Sequence, residues 1–219
     1  MNKKSKNYLP ALRFEFLTRF YDPLVRIITK EFEFKRALLA QADLQNNQTV
    51  LDIACGTGTL SISIKCRFPK AKVFALDADK EILQMARNKA KRYNAKIVFE
   101  QGFSDALPFA DKTFDHVFSM LAFHHLTPKR KVKTLREILR VLKSEGEFHL
   151  ADYGLPRNKS QSILGRLICI IDGAETTQDN IAGRLKCLME ENGFANVERI
   201  THFKTILGTI RLFKEQARL

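Results

Sequence analysis

The spacing of apolar residues switches along the chain between short unbroken runs and stripes repeating every three or four positions, and each switch marks an element. Val50, Leu51 and Ile53 form a run suited to a buried central strand, and after Gly56 and Gly58 the residues Leu60, Ile62 and Ile64 open a helix. Pro69 breaks the chain before a second strand, Lys72–Asp77. Asp79 then caps a helix through Ile82, Leu83, Met85 and Ala86 towards Lys91, since a carboxylate accepts from the unpaired N–H groups of a first turn. Lys96–Glu100 reads as strand three, Gly102–Phe109 as a loop and Phe114–Leu121 as a strongly apolar strand four. Thr127-Pro128 starts a helix with the stripe Val132, Leu135, Ile138, Leu139 and Leu142, which Gly146 is predicted to stop before strand five, Glu147–Ala151.

The flanks are less regular. Residues 11–44 carry apolar positions at helical steps, broken by Asp22-Pro23, and predict two or three short helices. Beyond Gly154 come a loosened segment with an apolar helix at Ile163–Ile171, a helix over Gln178–Glu191, and two closing strands, Val197–Phe203 and Thr205–Phe213. The alternation predicts one α/β domain over 1–219: a Rossmann-like, doubly wound, seven-stranded and mainly parallel sheet with an antiparallel edge hairpin. Residues 1–46 form a helical N-terminal cap and 154–176 a lid. In such sheets ligands bind at the carboxyl ends of the strands.

A glycine turn between strand and helix brings backbone N–H groups close to a nucleotide. Ser61 occupies the place of the third glycine of a dinucleotide fingerprint. Asp52 puts a negative charge beside the turn, which disfavours a pyrophosphate and suits a cationic or zwitterionic ligand. Asp77, 19 residues after Gly58, ends strand two where a carboxylate can accept from both ribose hydroxyls.

With these features, and with Gly102–Phe109, Thr113–Leu126 and Leu135–Lys143 in the same order and spacing, the chain resembles the class I S-adenosylmethionine-dependent methyltransferases. Within that family it is similar to enzymes that C-methylate quinone precursors. The resemblance implies S-adenosyl-L-methionine held by Asp52, Ala54, Gly56, Gly58, Asp77, Ala78, Ser104, Asp105 and Leu121. It also implies a small, largely apolar acceptor in a pocket built from Phe16, Phe20 and Tyr21, with Phe14 beside them and the 154–176 lid above. Simple packing over the sheet is the competing reading of those aromatics.

Two positions depart from the family. Phe103 stands where an Asp or Asn commonly accepts from the adenine amino group, leaving that role to Asp105 or a backbone carbonyl and letting Phe103 stack or turn inward. Lys143-Ser-Glu-Gly146 lacks the usual Pro-Gly. His124 and His125 follow strand four, beside the expected methyl group, and are the candidates for orienting or deprotonating the acceptor, because imidazole titrates near neutrality. The alternative is that one of them bonds a neighbouring carbonyl and shapes the loop. His149 reads as a hydrogen-bonded core residue, and His116 and His202 as structural.

Thirty-seven Lys and Arg against 24 Asp and Glu give a net charge of +13, which brings nucleic acid or an anionic membrane surface into consideration. Most of the basic residues fall on helix faces and in last turns, where they suit the helix dipole, with little aromatic interleaving for base stacking. An RNA or DNA methyltransferase is the alternative function, but Ser119–Phe123 lacks the Asn/Asp-Pro-Pro-aromatic signature of amino-directed base methylation. A non-catalytic cofactor-binding partner subunit is a third reading. Cys55, Cys66, Cys169 and Cys187 show no C-x-x-C spacing, no His and Cys pattern suggests a metal, and the N-terminus is too broken by charge for a signal peptide. These features predict a cytoplasmic protein, monomeric or homodimeric, that touches membranes at most peripherally.

Overall fold

Helix and strand alternate from Glu31 onward in the computed structural model of the chain, which describes residues 31–154, 174–205 and 208–216. The elements are α1 (Glu31–Ala40), β1 (Thr49–Ile53), α2 (Thr59–Arg67), β2 (Lys72–Asp77), α3 (Lys80–Arg92), β3 (Val98–Gln101), β4 (Phe114–Met120), α4 (Pro128–Val141), β5 (Leu142–Gly154), α5 (Ala174–Ile181), α6 (Leu185–Glu191), β6 (Glu198–Thr205) and β7 (Gly208–Gln216). They build one seven-stranded sheet in the order β3-β2-β1-β4-β5-β7-β6. The first five strands run parallel, and β7 joins β5 and β6 antiparallel, as the sequence predicts.

Strand periodicity sorts the core into two layers. Leu51, Ile53, Val117, Phe148 and Leu150 pack with Leu135 and Ile138 of α4 and with Leu185 and Met189 of α6. Val50, Val73, Phe118 and Ala151 point the other way, onto Phe34 and Leu38 of α1 and Leu60 and Ile64 of α2. The N-cap expected at Asp79 is present, its carboxylate accepting from the N–H groups of Glu81 and Ile82 at 2.8 and 3.2 Å.

Two expectations are corrected. The helix expected to run to Gly146 ends at Val141, and β5 begins at Leu142, which is buried and registers with Phe114. Gly146 is therefore a strand residue. A Cβ there would lie 2.9 Å from Leu142 Cδ2 and 3.0 Å from the Phe114 carbonyl oxygen, so glycine permits the close approach of β5 to β4 rather than stopping a helix. The single helix expected over Gln178–Glu191 is two, α5 and α6, separated at Gly183, whose φ of 74° no right-handed helix accepts.

Lys131 is a further correction to the picture of α4 as an apolar stripe with a basic solvent face. Its side chain is fully buried and donates to the Thr176 carbonyl (2.7 Å) and Asn180 Oδ1 (2.9 Å), with Asp179 at 3.6 Å. This lysine ties α4 to α5. Among the described residues no helix is long and apolar enough to cross a membrane.

Candidate active site

The carboxyl ends of β1, β2, β4 and β5 lie side by side, with Ile53 in register with Leu76 and Ser119, and Met120 with Ala151. Just past β1 the turn takes a left-handed backbone three times, at Ala54 (φ 53°), Gly56 (53°) and Gly58 (71°). The two glycines serve different ends. A Cβ at Gly58 would come 3.1 Å from that of Ala86, so this glycine lets α2 pack on α3. A Cβ at Gly56 would meet nothing within 4 Å, so open space lies over the turn where a ligand can approach the backbone. Ala54, and Leu121 after β4 (φ 54°), hold this conformation despite having a Cβ, a local strain that collects at binding sites.

Asp77 is joined to the turn. One carboxylate oxygen accepts from the Gly56 N–H at 2.9 Å and the other from the Asp79 N–H at 3.0 Å. Burial raises its pKa, and those two donors oppose the rise. Asp77 is only part-buried, so each oxygen keeps a lone pair for a ligand. Asp52 is placed differently. It is buried and spends one oxygen on the N–H and hydroxyl of Ser61 in the first turn of α2. Burial pushes its carboxyl up to about 6 against the Ser61 bonds. Ser61 thus replaces the fingerprint's third glycine with a bond that fixes α2 to β1.

The loop after β3 modifies the adenine assignments. Ser104 is buried, with its hydroxyl 2.9 Å from that of Thr134 in α4. Asp105 is gripped by both ends of the Arg130 guanidinium, at 3.0 and 2.9 Å, and Arg130 holds its carboxyl below the usual range in spite of burial. Phe103 is 39% exposed, with the same guanidinium lying over its ring at 5.1 Å from the centre, so the ring is not turned into the core. Ala78 offers its carbonyl to the Gln101 side chain at 3.2 Å.

The histidine pair sits in a short 3₁₀ turn, Phe123–His125, and its two members differ. His124 is buried and its Nδ1 lies 2.8 Å from Asp152 Oδ1; His125 is exposed, with its ring 4.0 Å from that of His124. The bond is to a carboxylate, not to the carbonyl weighed from sequence. Asp152, at the end of β5, also accepts from the N–H groups of Phe123 (2.7 Å) and Tyr153 (2.7 Å) and from Asn180 Nδ2 (3.0 Å). Burial alone would raise its pKa, but His124 and these donors hold it below the usual carboxylate range. Ionised Asp152 orients His124 with its proton on Nδ1 and its basic lone pair on Nε2. Asp152, Asn180 and Lys131 were not legible as site residues; the one signal was an acid ending strand five beside the strand that feeds the histidines. Phe14, Phe16, Phe20, Tyr21 and nearly all of the proposed lid lie outside the described residues.

A doubly wound sheet with an open glycine turn and an acid closing the second strand defines a nucleoside-binding enzyme fold. Residues 50–146 match the family model described as "Methyltransferase domain". The chain is 30% identical over 161 residues to a demethylmenaquinone methyltransferase of Thermotoga maritima, covering 73% of this chain and 67% of that one. It is 27% identical over 215 residues to a protein of the same name from Deinococcus radiodurans, covering 93% and 88%. In structure it superposes with a TM-score of 0.70 on a Haemonchus contortus phosphoethanolamine N-methyltransferase solved with S-adenosylhomocysteine, at 16% identity, covering 85% of this chain and 53% of that one. The chain belongs to the methyltransferase domain family and is an S-adenosylmethionine-dependent methyltransferase. The open space over Gly56 and the part-buried Asp77 carboxylate leave room and acceptors for that cofactor.

Proposed function

We propose that this enzyme C-methylates a small, largely apolar hydroxylated ring, a quinol precursor of the demethylmenaquinone kind, with His124 as the base. The observation that carries the reading is the His124–Asp152 pair, together with relatives named for that substrate. Asp77 accepts from the ribose hydroxyls, the backbone of Gly56 lies against the cofactor's amino-acid portion, and the Phe103 ring stacks on the adenine. Asp52 contributes indirectly by holding α2 in place through Ser61. Bound S-adenosylmethionine supplies an activated, electrophilic methyl group.

The protein's part is alignment and one proton. A phenolic ring carbon is a weak nucleophile until its neighbouring hydroxyl is deprotonated, after which negative charge is shared with that carbon. His124 Nε2 takes this proton, and the buried Asp152 stabilises the imidazolium that results; as the carbon takes the methyl and the methyl–sulfur bond breaks, that carbon's ring hydrogen leaves and the oxygen is reprotonated, so one proton is released net. Exclusion of water and alignment of the reacting atoms supply the remaining acceleration.

The test is incubation with S-adenosylmethionine and a reduced, short-chain demethylmenaquinol, followed by mass spectrometry of the ring. A ring-methylated product is expected. A protein that binds S-adenosylmethionine yet methylates neither this acceptor nor a related benzoquinol would overturn the acceptor class.

A further inference from the structure

At the opposite end of the sheet from the glycine turn, His116 of β4 and Glu147 and His149 of β5 point from the same face. His116 is the cross-strand partner of Glu147, and Phe118 that of His149. Three of their atoms converge: His116 Nδ1 lies 3.1 Å from His149 Nε2 and 3.5 Å from Glu147 Oε2, and His149 Nε2 lies 3.2 Å from that same oxygen. Zinc held by nitrogen and oxygen at about 2.0–2.1 Å sets tetrahedral ligand atoms about 3.3 Å apart, which is the spacing of this triangle.

We propose that His116, Glu147 and His149 form a binding site for a divalent transition-metal ion of the zinc type, with the fourth position open to water. The site is separate from the methyl-transfer machinery.

Hydrogen bonding prepares the first ligand. Gln48 accepts from the Gln45 backbone N–H through Oε1 at 2.6 Å, which fixes its carboxamide oxygen, and that oxygen is 3.0 Å from His116 Nε2. His116 must therefore carry its proton on Nε2, leaving the Nδ1 lone pair aimed into the triangle. An outer acceptor that sets the tautomer in this way is the usual support of a metal-bound histidine.

The carboxylate is also prepared. Glu147 anchors Oε1 on Lys214 Nζ at 2.7 Å, while Oε2 is buried without a hydrogen-bond partner. In the ion-free arrangement the single proton on His149 Nε2 is shared between His116 Nδ1 at 3.1 Å and this oxygen at 3.2 Å, so one of the two is left short, and a buried acceptor left so is costly.

His149 requires one adjustment. Ligation through Nε2 puts its proton on Nδ1, which faces Gln41 Nε2 at 3.3 Å. Turning that carboxamide presents Gln41 Oε1, itself buried and without a partner, at the cost of the bond from Nε2 to the Phe213 carbonyl. Glu147 favours a cation, whereas Lys214 opposes it, and Asp115 and Lys143 offset each other at 2.8 Å. A cleft of about 580 Å³ lined by Gln48, Asp115, His116 and Glu147 gives an ion and its water a route in.

The experiment is titration of tag-free, chelator-treated protein with Zn²⁺ against a chromophoric competitor, and with Co²⁺ followed by its visible absorption. One equivalent should bind, with a tetrahedral Co²⁺ spectrum and a raised melting temperature. His116→Ala, at the rim of the cluster, should weaken binding by roughly a hundredfold or more, and Glu147→Gln should weaken it too, with S-adenosylmethionine affinity unchanged in both. A Cys66→Ser/Cys187→Ser variant should bind as wild type. Absence of binding to folded wild-type protein, binding indifferent to both His116→Ala and Glu147→Gln, or binding lost with the cysteines would each overturn the proposal.

Discussion

Asp152 holds His124 through a 2.8 Å bond to Nδ1, with both side chains buried, and the same carboxylate accepts the N–H of Phe123 at the start of the turn that carries the histidine. One buried group therefore sets both the position and the tautomer of the candidate base. His124→Ala should cut turnover by about 10²–10⁴, the usual contribution of a positioned base, and leave cofactor affinity unchanged. Asp152→Asn keeps the shape but lets the imidazole flip its tautomer, so it should lower kcat more than it raises KM and move the pH–rate profile. Near-normal turnover in a folded His124→Ala protein would leave alignment alone as the source of rate.

Asp77 and Gly56 act as a unit, because the Asp77 carboxylate accepts the Gly56 N–H. Asp77→Asn should weaken S-adenosylmethionine binding about ten- to hundredfold, the worth of a charge-assisted hydrogen bond. Gly56→Ala meets no clash in the protein itself but places a methyl group in the open space over the turn and strains a left-handed backbone. Calorimetry should find a larger loss of affinity than of melting temperature for Gly56→Ala, and the reverse for Gly58→Ala, whose new methyl meets Ala86.

The succession of strands and helices, the glycine turn and Asp79's cap were legible because each depends on local pattern: apolar runs, glycine spacing, and an acid before a helix. Asp77's place at the end of β2 was legible for the same reason. What escaped was decided by partners distant in sequence. Nothing near Lys131 distinguishes it from Lys129 or Lys133, and it is buried because Asn180 and the Thr176 carbonyl, some fifty residues on, meet its ammonium. Asp105 reads as an adenine acceptor from its position in the loop, and its pairing with Arg130 of α4 is a tertiary contact that no local pattern carries. Glycine commonly ends helices, so Gly146 reads locally as a helix stop, and the close approach of Phe114 that requires it is a tertiary fact.

Lys131 should be a stability residue, not a surface charge. Its ammonium is fully buried, and burial lowers its pKa while Asp179 and Asp152 oppose that. Lys131→Met removes the donor and strands the Asn180 amide oxygen and the Thr176 carbonyl, so it should cost about 3 kcal/mol in urea unfolding, within the range for breaking a buried polar cluster. Lys129→Met, on the exposed side of the same helix, should change stability by less than about 0.5 kcal/mol. Equal effects of the two would place Lys131 in solvent.

Glu215 gives the pH dependence a defined sign. It is buried in β7, and burial pushes its carboxyl from 4.5 up to about 7, partly offset by the Ala195 N–H. In the unfolded chain the group loses its proton near 4.5, while in the folded protein it keeps it to about 7. Between those values the unfolded state binds fewer protons, so stability falls as pH rises; the contribution is fully present below 4.5 and lost on passing about 7. Other carboxylates shift in both directions, and only a difference isolates this one. Wild-type stability relative to Glu215→Gln should therefore drop by about 2–3 kcal/mol between roughly pH 5 and pH 8, read from urea midpoints. A difference that stays constant across that interval would mean Glu215 ionises in the folded protein near its ordinary value, with water or a cation reaching it.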